Sequence, residues 1–206
     1  MKKYTLIFLL TFFVQLIFSQ NFRKYPIKSG MIKYETDVMG TKGTSILYWD
    51  EYGFNEVQIE NSPSLSNDGT IETKTTLFLG SKQYVWGNND EAVTAFTNPI
   101  AKVWETNGYQ GDEAISLGEE LMKNMLGAPI GGKKIFLGKE CDVFKNDEMM
   151  LEALGWKGLT LMIKIASMST QTATSIETDI ELPANTFALP EGKEIKETNP
   201  MQGFKP

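Results

Sequence analysis

The sequence predicts a mainly β protein: a curved antiparallel sheet of about eleven strands, an open barrel or a sandwich, built about one helix. Three observations predict it. Short runs alternate apolar and polar residues along most of the chain. Turn signals rich in Gly, Asn and Asp separate these runs at short, regular spacing, which argues an antiparallel meander. One segment, 112–126, departs from the alternation and repeats at helical spacing.

Residues 1–19 read as a cleavable export signal. Lys2 and Lys3 form the positive start, Leu6, Leu9, Leu10, Phe12 and Phe13 belong to the apolar centre, and Ser19 or Gln20 ends it. Thr11 and Gln15 interrupt the apolar centre, which is short for a bilayer of about 30 Å. The expected location is periplasmic or secreted, with no stable membrane anchor after cleavage. No cysteine stands near the cleavage point to be acylated. Residues 20–29 form a polar lead-in carrying Pro26, residues 30–195 a single β-rich domain, and residues 196–206 a flexible tail with Pro200 and Pro206.

The first strand, 30–38, places Ile32, Tyr34, Thr36 and Val38 on one face and Lys33, Glu35 and Asp37 on the other. Its return strand, 44–50, is apolar on both faces, Ile46 and Tyr48 against Leu47 and Trp49, and so needs cover on each side. In 55–60, Val57 and Ile59 are expected to face in, with Glu56 and Gln58 facing out. A loop at 61–69 leads to strands at 70–79, 83–86 and 92–96. Residues 99–111 hold Trp104 and Tyr109, too apolar for an exposed linker, and are expected to dock on the core.

The helix follows. Ala114, Ile115, Gly118, Leu121, Met122 and Met125 make one face; Asp112 can cap the start, and Gly127 with Pro129 stops it. Strands at 133–137 and 140–145 come next, then a hairpin of 149–154 and 159–166 turning at 155–158. The last strand, 172–182, alternates Thr174, Ile176, Thr178, Ile180 and Leu182 against Ser175, Glu177, Asp179 and Glu181.

The chemistry is defined mostly by what is missing. The chain has no histidine, which removes Ser-His-Asp and Cys-His catalysis, zinc-protease motifs and most transition-metal sites. Its formal charge of −6 becomes about −8 once the signal is removed, 18 basic against 26 acidic residues. No basic stripe offsets that charge, so no nucleic-acid partner is expected. Cys141, the single cysteine, stands beside Val143 and Phe144 and reads as a buried thiol. Residues 127–134 imitate a phosphate-binding loop, but Lys134 stands where Ser or Thr should hold magnesium, and a helix precedes the loop instead of following it. The 88–91 turn has oxygen ligands without the spacing of a calcium loop. Carboxylate pairs brought together from distant strands stay open, and with them a hydrolase. Ten methionines, among them Met149, Met150, Met162 and Met168, fit either core filling or an adaptable cavity wall.

In the C-terminal half, Gly138 to Phe144, Trp156 to Leu161, Ala173 to Glu177 and the run from Leu182-Pro183 to Gly192 form a pattern, preceded by Gly30 to Tyr34 and Tyr48-Trp49-Asp50 with Gly53. Over roughly residues 30–195 it resembles the small secreted proteins with the fold of periplasmic lipoprotein carriers (LolA/LolB-like, including DUF4412-type proteins). The resemblance implies a half-open barrel with the helix across its concave face and an apolar cavity for lipid acyl chains, and it carries no catalytic residue and no cofactor. The expected function is that of an exported, non-enzymatic binding protein, with a lipid acyl chain or lipoprotein as partner. Ile115, Met122 and Met125 on the helix, with Trp49 and Leu161 on the sheet, are the candidate cavity lining. Ordinary core packing is the competing reading of all five. A structural or partner-binding envelope protein with a filled core is the alternative function.

Overall fold

The computed structural model describes residues 24–64, 70–98 and 129–198, with Lys102, Glu113, Glu120 and Lys123 between the last two stretches. Twelve strands form one open sheet: β1 Gly30–Val38, β2 Thr41–Asp50, β3 Asn55–Pro63, β4 Ile71–Leu79, β5 Lys82–Gly87 and β6 Ala92–Thr97 in the first half. The second half supplies β7 Pro129–Phe136, β8 Lys139–Asn146, β9 Leu151–Trp156, β10 Leu159–Ile165, β11 Ser169–Thr178 and β12 Glu194–Glu197. Their order across the sheet is β12-β6-β5-β4-β3-β2-β1-β11-β10-β9-β8-β7. Two antiparallel meanders, β1–β6 and β7–β11, are therefore joined through the β1–β11 pair. Among the described strands, only β12 runs parallel to its neighbour.

The mainly β, antiparallel fold expected from the alternation is what forms, with one strand more than expected. The addition is β12, four exposed residues without alternation, held to β6 and by the Lys82–Glu197 ion pair at 2.9 Å. It runs past Ile195, into the stretch expected to be tail. Tight turns fix the register of the hairpins. At Met39-Gly40 and Lys157-Gly158 both central residues have positive φ, the backbone that matches the twist of paired strands. Of the helix expected at 112–126, Glu113, Glu120 and Lys123 are described; they are helical and exposed. Ile115, Met122 and Met125 lie outside the described residues.

Register explains the core. Gly30 stands opposite Trp49, which stands opposite Glu56; the next inward row is Ile32, Leu47 and Gln58, and then Tyr34, Ser45 and Glu60. Across this face runs the segment 24–29, expected to be a polar lead-in. Tyr25, Ile27 and Ser29 are buried, while Pro26 and Lys28 between them are exposed. Trp49 Nε1 donates to the Ile27 carbonyl at 3.2 Å, and the Tyr25 and Trp49 rings meet edge to face at 5.8 Å. One buried cluster joins Tyr25, Ile27, Ile32 and Trp49 to Cys141, Leu154, Leu159 and Leu161 on β8–β10. Between them the cluster passes through Tyr34 on β1 and Ala173 on β11, so the lead-in belongs to a core shared by the two meanders.

Two other expectations change. Glu56, expected to face out, is 6% exposed on the face crossed by the lead-in. In β11 the register shifts opposite Lys33/Tyr34, so that Ser175 pairs with Lys33 and Ala173 with Tyr34. This bulge turns Ala173 inward and leaves Thr174 exposed, its hydroxyl donating to the Lys33 carbonyl at 3.2 Å, so the even alternation expected over 172–182 is broken.

Candidate functional site

The site is built on the row that Glu56 occupies. Its Oε2 accepts from the Tyr25 hydroxyl at 2.6 Å and from Lys24 Nζ at 2.8 Å. Both partners come from the lead-in, which the 51–53 turn holds in place. Glu51, Tyr52 and Gly53 all take positive φ, and the Tyr52 carbonyl accepts from the backbone N–H of Lys24 and of Tyr25. Gly53 is required here for space as well: a Cβ on it would come within 2.8 Å of the Tyr25 ring. At the other end of the lead-in, the Asp179 N–H donates to the Ser29 carbonyl, and the Ser29 hydroxyl donates to the Ile180 carbonyl.

Beside this anchor lies a pocket of about 270 Å³, bounded by Tyr25, Tyr34, Glu56 and Gln171, by Gly158 in the β9–β10 turn and by Thr160 at the start of β10. The Tyr34 hydroxyl donates to the Thr160 carbonyl at 3.0 Å. Gln58, also on the wall, gives its Nε2 to Ser45 Oγ and Glu60 Oε1. Glu56 Oε1 takes no hydrogen bond among the described residues, although the side chain is over nine-tenths buried. A buried carboxylate oxygen without a donor costs stability unless something else supplies one. Burial, and next the Glu56 carboxylate, raise the pKa values of Tyr25 and Tyr34 above the ordinary tyrosine value, so both stay neutral at physiological pH.

A second concavity, about 740 Å³, lies toward the far end of β1–β3. Glu35, Asp37, Lys42 and Asn61 line it together with Pro63 and Ile71, an open and mixed setting. Glu35 follows Tyr34 in the strand, so its side chain leaves from the opposite face. Beyond it, the β1–β2, β8–β9 and β10–β11 turns sit together: the Met39 N–H donates to the Met168 carbonyl, and the Ala166 N–H to that of Met150. Val38, Met39, Met149, Met150 and Met168 are all exposed there, so these methionines fill no core.

Of the residues expected to line a cavity, Trp49 and Leu161 are fully buried members of one core cluster, and neither lines either concavity. Cys141 is buried as expected; burial raises its pKa, and Sγ donates to the Lys139 carbonyl at 3.5 Å. Among the described residues no group of three or more His, Cys, Asp or Glu could hold a metal. No helix among them is long and apolar enough to cross a membrane. Sequence reasoning misses Glu56, Lys24 and Tyr25 as site residues. The signal that could have found them is the alternation Tyr25, Ile27, Ser29, together with the demand for cover over Trp49.

No family model matches the sequence. No curated protein matches it either. Among solved structures, the chain is similar to an uncharacterised conserved protein from Thermus thermophilus, with a TM-score of 0.51 and 5% identity over 84% of this chain and 92% of that one. It is also similar to PNGF-II in its P21 and C2 crystal forms, with TM-scores of 0.45 and 0.43 at 14% and 15% identity. Those matches cover 83% and 84% of this chain, which spans about a third of the length of PNGF-II, 32% and 31%. The Thermus likeness shows the fold alone.

Proposed function

We propose that this chain is an exported, non-enzymatic binding protein, periplasmic or secreted, whose ligand enters the pocket between the lead-in and the β9–β10 turn. The observation that carries the reading is Glu56, a buried side chain bordering a pocket, whose Oε1 has no donor among the described residues. The other oxygen is held by Lys24 and Tyr25, so the carboxylate is fixed in place and has its charge balanced. The export signal read at 1–19 supports the location.

The same reading has a larger form, in which a helix at 112–126 lies across the curved sheet and covers an acyl chain or the lipid of a lipoprotein. The apolar face of Ile115, Met122 and Met125 supports it, since each buried methylene contributes about 0.8 kcal/mol. Mass spectrometry of the natively purified and the solvent-extracted protein tests both forms. A co-purifying small polar molecule supports the pocket, and a co-purifying lipid supports the larger form. Protein that carries neither, and shows no thermal shift with a polar-metabolite panel or an acyl probe, overturns the binding reading.

Docking of a protein partner is the second reading, favoured by the exposed methionines on three adjoining turns.

A further inference from the structure

We infer that the Glu56 pocket takes a neutral, hydroxyl-rich molecule of about ring size, a polyol or a simple saccharide unit; this rests on the binding reading proposed above. Charge comes first. Lys24 Nζ lies 2.8 Å from Glu56 Oε2, so the pocket already holds one balanced pair. A cation bound at Oε1 would share a half-buried site with the Lys24 ammonium, and an anion would face the Glu56 carboxylate. Either leaves an unbalanced charge where desolvation is costly. A neutral donor satisfies Oε1 and adds no charge.

Hydrogen-bond capacity narrows the choice further. The Tyr34 hydroxyl spends its proton on the Thr160 carbonyl, which leaves its oxygen as an acceptor. Gln58 spends its Nε2 on Ser45 and Glu60, which leaves its carbonyl as an acceptor. With Glu56, whose Oε1 is unpartnered among the described residues, three residues that border one pocket each keep a spare acceptor, which favours a ligand that brings several donors. The Gln171 side-chain amide makes no hydrogen bond within the described fold and can serve a hydroxyl as donor or acceptor. Leu47, Leu159 and Ile163 supply the apolar wall that a ring can rest against. About 270 Å³ admits a six-membered polyol and excludes a long chain.

The test titrates the full mature chain with myo-inositol, and separately with methylammonium and with acetate, following backbone amide NMR signals. The expected result is saturable shifts at Gly158, Thr160 and Gln171 with inositol alone. Glu56→Gln should weaken that binding about tenfold, the size of one hydrogen bond to an ionised group. Because Glu56 also anchors the lead-in, Gln171→Leu is the second variant, one that removes no side-chain hydrogen bond of the described fold and should weaken binding several-fold. Methylammonium or acetate saturating the same amides in preference to inositol overturns the neutral-polyol class while the pocket remains a binding site. Inositol shifts that survive both substitutions overturn the assignment to this pocket. No saturable shift with any of the three overturns the inference, and the co-purification experiment then decides separately whether the binding reading stands.

Discussion

Strands β1 and β2 begin and end in different environments. Near Gly30 and Trp49 they are crossed by the lead-in, and Ile32, Leu47 and Trp49 are buried beneath Tyr25 and Ile27. Near Val38 and Met39 no described segment crosses them, and the same alternation leaves Val38 51% and Met39 76% exposed. Val38 and Met39 are themselves apolar, although Asp37, Lys42 and Thr44 beside them are polar. The difference teaches that a strand's own pattern sets which face its side chains take, while burial depends on what lies over that face. The covered end has a network of buried polar groups around Glu56, and the open end has flexible thioethers facing solvent.

The largest expected effect falls at the covered end. Trp49→Ala removes the side chain on which the lead-in rests and should cost about 3–5 kcal/mol of unfolding free energy, read from urea denaturation. A loss near zero would mean that the two ends are alike and that the lead-in carries no core. Tyr25→Phe keeps the ring and removes one hydrogen bond to an ionised group, and should cost about 1.5–3 kcal/mol in the same assay.

Alkaline pH breaks the comparison by another route. Tyr25 and Tyr34 hold their protons more tightly in the native chain than unfolded, where they titrate near pH 10. The native state therefore binds more protons than the unfolded state above that pH, and stability falls as pH rises. It is fully present below pH 10 and declines above it by up to about 1.4 kcal/mol per pH unit for each tyrosine. Urea midpoints at pH 9 and pH 11 should separate for the native sequence and separate less for Tyr34→Phe. Equal separations would place Tyr34 in water.

The smallest effects belong to the open end. Met150→Ser and Met168→Ser should each change stability by no more than about 0.5 kcal/mol. Met39 precedes Gly40 in a turn that requires positive φ at both, so Met39→Asn should raise stability by about 0.5 kcal/mol. A large loss at any of these methionines would show that this end is packed in solution.

The sequence made the strands legible wherever one face is buried and the other wet, as in β1 up to Tyr34 and in β4 at Thr75 and Leu77. It also showed that β2 is apolar on both sides and must be covered. It did not show what covers it, because Pro26 and Lys28 disguise the alternation of Tyr25, Ile27 and Ser29. Glu56 was hidden for a related reason. A carboxylate on an alternating strand reads as solvent-facing, and its partners, Lys24 and Tyr25, stand some thirty residues away on another segment. The bulge opposite Lys33 and Tyr34 inserts one residue without any Gly or Pro to announce it, so the inward turn of Ala173 follows only from the pairing with β1.

The joining of the two meanders through β1 and β11 also sets the order in which the molecule can be assembled. Lys33 and Thr174, hydrogen-bonded across that seam, are separated by 141 positions in the chain. A chain that emerges from its amino end can pair β1 through β6 early, by local hairpins, but β1 keeps a bare edge until β11 arrives. Until then the half-built sheet can recruit a strand from a neighbouring molecule at that edge. Assembly at low concentration, or with β1 shielded by a chaperone, should therefore raise the yield of monomeric protein.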